Sequence, residues 1–151
     1  MKAEPSIIAF LESEGLDSHG RQLSDIWAFS DTEIEHTHKF IQWLFPPAEP
    51  SLSVPGSPKL ASCDITALRL SNAAKTSVAE SGDWYTSSLS RNSHWKAKYD
   101  HNHLRITRVI KSLRLLVSDD EANRFRDNVF ALLGDDADQI DEKARSFWLA
   151  A

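Results

Sequence analysis

Residues Leu104 to Val117 constrain the fold more than any other stretch of the chain. On a helical wheel begun at Leu104, the residues Ile106, Val109, Ile110, Leu113, Leu116 and Val117 fall within about 120° of one another, the stripe of a helix with one face in a core. Such a helix needs others to cover it, and the surrounding sequence supplies them. Ser30 with Glu33 forms a capping box ahead of Ile34, Thr37, His38, Ile41, Leu44 and Phe45 at helical spacing, and that helix must stop at Pro46-Pro47. Ser118 with Glu121 repeats the box before a helix closed by Gly134, and Ile140, Ala144, Phe147 and Trp148 share one face of a last helix. Pro5 opens a short helix that Gly15 ends, and a second short helix lies over "LDSHGRQLSDIWAF". No segment sustains period-two alternation. The expected fold is therefore all-α, a bundle of about five to seven helices.

The 151 residues, 41% of them hydrophobic, suit a single domain spanning 1–151. Five of the six prolines fall between Pro46 and Cys63, and this segment reads as an extended strap over the surface of that domain. In the middle, Asp64 is placed to cap a helix that Gly82 would end, and the stretch from Asp83 to Tyr99, with Trp84, Tyr85 and Trp95, reads mainly as loop. The five tryptophans are expected to pack in the core or beneath the strap.

A net charge of -5 removes the global signature of a general nucleic-acid binder. Cys63 is the only cysteine, so neither an intrachain disulfide nor a thiolate metal cage can form, which fits a reducing compartment and points to the cytoplasm. Glu12 and Glu14 interrupt the first apolar run, unlike a secretory signal, and no segment nears the roughly eighteen apolar residues of a membrane span.

A local basic row does exist, with Arg105, Arg108, Lys111 and Arg114 three residues apart. Residues so spaced step back about 60° per turn, so the row spreads over the polar side of its helix instead of forming a line. Asp119 to Glu142 holds nine acids against two arginines and can neutralise that side, which disfavours a nucleic-acid role for Arg108, Lys111 and Arg114. Arg105 differs, because it borders the apolar stripe. With His101 and Asn102 at a helix N-terminus it can hold a carboxylate or phosphate; alternatively, Asn102 caps the helix and Arg105 pairs with an internal acid. The "HTH" and "HNH" letter patterns place histidines two apart, about 200° around a helix, so neither pair chelates by itself, and no metal or cofactor is expected.

Two blocks carry a family resemblance. "EHTHKFIQWLFPPAEPS" (Glu35 to Ser51) and "HNHLRITRVIKSLRLL" (His101 to Leu116) resemble the two signature blocks of the opioid growth factor receptor conserved domain. In that family a histidine stands three residues before "IQWLFP", and a His-Asn pair leads into "LRITRILKSL". Here these are His38 with Ile41 to Pro46, and His101-Asn102 with Leu104 to Leu113. The "GRQLSDI" stretch is similar too, and weaker similarity runs from about Leu16 to the closing "SFW", thinning between Leu60 and Tyr99. Vertebrate members are known as receptors for a short enkephalin peptide that act in growth inhibition at the nuclear periphery and are unrelated to seven-helix opioid receptors. A chain holding the conserved domain alone looks like a microbial relative, for which an opioid ligand makes little sense.

The resemblance brings no catalytic set, so it points away from an enzyme and toward a binding or regulatory module for a peptide, a partner protein or a small anionic ligand. If the two signature helices pack together, His38, Gln42, Trp43, His101, Asn102, Arg105 and Arg108 gather as its ligand-binding residues. The same polar groups could equally form a network that fixes helix register. The enzyme alternative would use His38 or His101 as acid or base.

Overall fold

The computed structural model describes residues 5–48 and 60–151, and the central part of the expected proline strap lies outside them. Among the described residues there are nine α-helices and no strand, so the fold is all-α. They are α1 (Ile7–Leu11), α2 (Leu23–Trp27), α3 (Asp31–His36), α4 (Ile41–Leu44), α5 (Ser62–Leu70), α6 (Asn72–Arg91), α7 (His101–Leu116), α8 (Asp119–Leu133) and α9 (Glu142–Ala150), with a 3₁₀ helix, Gly134–Gln139, before the last. The chain falls into two compact units, Met1–Ser81 and Gly82–Ala151.

In the first unit, short helices are fixed by their ends. Ser6 Oγ accepts from the Ala9 amide at 3.2 Å, and the expected Ser30 box forms, with Ser30 Oγ and the Glu33 carboxylate each accepting the other's amide at 3.2 Å. The helix expected to run from Ser30 to Phe45 is broken at Thr37, whose extended backbone turns the chain so that Phe40 is fully buried, edge-on to Phe29 at 5.4 Å. The loop between α1 and α2 is tied from inside. Asp17, 2% exposed, accepts from the amides of His19 (2.8 Å) and Arg21 (2.9 Å) and from Arg21 Nε (2.7 Å), while Arg21 Nη2 donates to the Lys39 carbonyl at 2.9 Å.

The middle departs most from expectation. Gly82 does not end a helix, and residues 83–91 are not loop; both belong to α6, a 20-residue helix. Its buried face is made largely of small residues, Ala74, Ser77, Val78, Ser81, Gly82 and Ser88, with Tyr85 and Leu89. Trp27 Nε1 donates to Ser81 Oγ at 2.9 Å, so the serine serves as an acceptor in a packed surface.

The second unit is built around α7. Ile106, Val109, Ile110, Leu113 and Leu116 are all buried, as the wheel requires, and α8 and α9 cover them. Ser118 Oγ caps α8 through the Glu121 amide at 3.1 Å, and Gly134, at φ 53°, ends it in a conformation other residues adopt at a cost. The 3₁₀ turn delays the last helix, so α9 starts at Glu142. Three bonds run in order along α7 and α9: the Asp141 amide to the Lys98 carbonyl (3.1 Å), Trp148 Nε1 to the His103 carbonyl (3.0 Å) and Arg114 Nε to the Ala151 carbonyl (2.9 Å). The two helices are therefore parallel.

A β-carbon at Gly82 would meet Leu113 at 3.5 and 3.8 Å, ordinary contact distances, within a helix interior. Gly82→Ala is expected to raise stability by about 0.5–1 kcal/mol, read from urea denaturation, through helix propensity. A loss of stability instead would show that the glycine serves a purpose other than helix continuity.

Candidate functional site

The start of α7 is fixed by Asp100, not by Asn102 as the sequence suggests. Asp100 Oδ1 accepts from the Asn102 amide at 2.9 Å and from Asn102 Nδ2 at 2.8 Å. Asn102, buried in the first turn, uses its other side-chain atom to accept from the Tyr85 hydroxyl, so it joins α6 to α7. One residue beyond, His103 is 6% exposed and held from three directions. Its Nε2 lies 2.7 Å from the Trp95 carbonyl, its own carbonyl accepts from Trp148 Nε1, and its ring meets the Trp148 ring edge-on at 5.7 Å. Trp95 is itself locked, its Nε1 shared between the Leu89 and Asn92 carbonyls at 2.9 Å each.

The parallel placement of α7 and α9 opens a cleft of about 710 Å³. His103 and Thr107, both buried and one turn apart, line it, between walls carrying Leu104 (54% exposed) and Phe147 (52% exposed). Asp100, His101 and Asp141 stand at the end where both helices begin, and Lys111 stands two turns beyond Leu104. Lys143 leans over the Phe147 ring, its Nζ 5.9 Å from the centroid. Neither Lys111 nor Lys143 forms an ion pair among the described residues, and Asp141 caps α9 by position without a side-chain bond. The cleft thus combines an apolar middle, the carboxylates of Asp100 and Asp141 where the helices begin, Lys143 close to that end and Lys111 farther along α7.

The residues anticipated from sequence occupy two units. In the first, His38 is exposed, whereas Gln42 and Trp43 are buried, Trp43 edge-on to Phe10 at 5.4 Å. Gln42 Oε1 is buried with no hydrogen-bond partner among the described residues. In the second, His101 is exposed and lines the cleft, while Asn102 and Arg105 are buried. Arg108 is half-buried, and desolvation lowers its guanidinium pKa from the usual value. The basic row has largely dissolved into the fold. Arg114 Nη1 bonds Asp119 at 2.9 Å and Nη2 bonds Asn123 at 2.8 Å, in addition to its bond to Ala151, so the acidic segment does answer this arginine. Sequence reasoning did not single out Leu104, Thr107 or Phe147 as site residues. The available signal was that Leu104 lies off the apolar stripe, and a large apolar side chain there has no core to enter.

Asp100→Ala is expected to cost about 1–2 kcal/mol in urea denaturation, the range for loss of a helix cap, and to speed amide exchange in the first turn of α7. Unchanged exchange there would mean that the cap does not hold the turn.

In comparison with known protein families, the model described as the opioid growth factor receptor conserved region matches residues 14–124. The match takes in both sequence blocks and all of α7 but ends before α9. No curated protein and no solved structure matches the chain.

Proposed function

The chain belongs to the opioid growth factor receptor conserved-region family, and from that premise we propose that it is a recognition module that binds an acidic peptide segment with an apolar anchor in the α7–α9 cleft. The observation that carries this reading is the half-exposure of Leu104 and Phe147 on facing walls, with two lysines lining the same cleft that form no ion pair among the described residues. Apolar side chains left facing a concave space gain from an apolar guest, roughly 1–2 kcal/mol for each half-exposed side chain covered. The lysines select a guest that also carries carboxylates. Charge elsewhere on this acidic chain matters less, because exposed charges beyond about 8 Å are largely screened at physiological salt. Asp100 and Asp141 repel a carboxylate at the end where the helices start. The ligand's acidic end therefore points toward Lys111, which gives the cleft a direction.

A titration of the isotope-labelled protein with acetyl-Phe-Glu-Glu-amide tests this. Resonances of Leu104, Phe147 and Lys111 should move together, and Phe147→Ala and Lys111→Glu should each weaken binding about tenfold, the equivalent of about 1.4 kcal/mol. Both side chains are exposed, so the melting temperature should hold. A titration that leaves the cleft resonances unmoved would overturn the proposal.

A further inference from the structure

His103 is a buried side chain of the cleft whose bond to a carbonyl dictates where one ring hydrogen sits. A carbonyl oxygen can only accept, so the bond from His103 to Trp95 at 2.7 Å requires the hydrogen on Nε2. In the neutral ring Nδ1 is then a lone-pair acceptor. That nitrogen has no partner among the described residues, and the residue as a whole is 6% exposed. The ring lines the cleft, so the small accessible part of His103 is presented there. Trp148 holds the ring edge-on and bonds its backbone, and Thr107 Oγ1 donates to the same carbonyl at 3.3 Å, so the ring has little freedom to turn the nitrogen away.

Resting on the cleft reading above, we infer that His103 Nδ1 is a specificity-determining acceptor, and that the peptide bound in the cleft presents a backbone N–H to it between its apolar anchor and its acidic end. The chemistry favours a backbone amide over a carboxylate at that position, because a neutral acceptor beside an anion gains nothing and leaves the anion partly desolvated. Leu104, one residue on, lines the same cleft. A ligand filling both must carry its N–H within reach of its anchor, which is the geometry of a peptide backbone and not of an isolated hydrocarbon acid. A preorganised, mostly buried acceptor contributes little to affinity in general and much to discrimination, since a ligand lacking the donor leaves it without a partner.

The test uses acetyl-Phe-Glu-Glu-amide and three versions of it, each N-methylated at one residue. With the wild-type chain, one of the three should bind about tenfold or more weakly than the parent peptide. In His103→Phe, which keeps a ring against Trp148 but has no nitrogen to accept with, that difference should disappear. Independently of any substitution, the Nδ1 nitrogen resonance of His103 should shift when the parent peptide binds. The inference is overturned if all three methylated peptides bind the wild type as the parent does, if the difference persists in His103→Phe, or if Nδ1 does not respond. Failure of the parent peptide to bind at all would remove the cleft reading itself, and the inference with it.

Discussion

The second unit depends on how one residue, His103, is held. Its ring donates to the Trp95 carbonyl beyond the end of α6, its backbone accepts from Trp148 of α9, and it sits in the first turn of α7. Trp95 and Trp148 are fully buried, and buried indole N–H groups need acceptors, so each must find a partner within the fold. Trp95 is satisfied by the Leu89 and Asn92 carbonyls and Trp148 by the His103 carbonyl. The two bonds that His103 makes, to Trp95 and from Trp148, are the ones a shift of α7 along its axis would break. Helix register, which greasy packing alone leaves adjustable, is thereby fixed by hydrogen bonds. Tyr85 and Asn102 repeat the device one residue earlier.

The first unit solves a different problem with a comparable means. Its helices are too short to be stable alone, since helices under about twelve residues are marginal in water. The buried carboxylate of Asp17 organises the connection between α1 and α2 by accepting three bonds, and Arg21 extends that order to the Lys39 carbonyl ahead of α4. Arg21 also stacks over Phe29, its guanidinium 5.8 Å from the ring centroid. The "GRQLSDI" stretch that resembles the family is thus the stretch whose arginine performs this tie.

What was legible in the sequence was whatever a strong periodic signal or a cap announces. The α7 stripe and the serine caps at Ser30 and Ser118 are in place because local spacing determines them. α6 was hidden for a physical reason: a face of alanine, serine and glycine scarcely registers as hydrophobic, yet it lets a neighbour approach closely and offers acceptors such as Ser81 Oγ. The break at Thr37 was hidden because the burial of Phe40 decides it, and Phe29, its partner, belongs to another element. In the candidate site, His101 was found from its place at a helix start. Leu104 and Phe147 were not, because their meeting depends on two helices 25 residues apart in sequence being laid parallel, and no local pattern encodes that. The family match likewise covers one wall of the cleft and ends before the other.

That second wall has a mechanical character of its own. α9 contributes a single fully packed side chain, Trp148, and is otherwise pinned at its two ends, by the Asp141 amide to Lys98 and by Arg114 to Ala151. A rod fastened at both tips and at one point along its length owes its position to a few discrete bonds more than to broad packing. The placement of Phe147 on the cleft wall is therefore inherited from those fastenings, and a change at Lys98, Arg114 or Trp148, none of them beside Leu104, would be felt at the cleft.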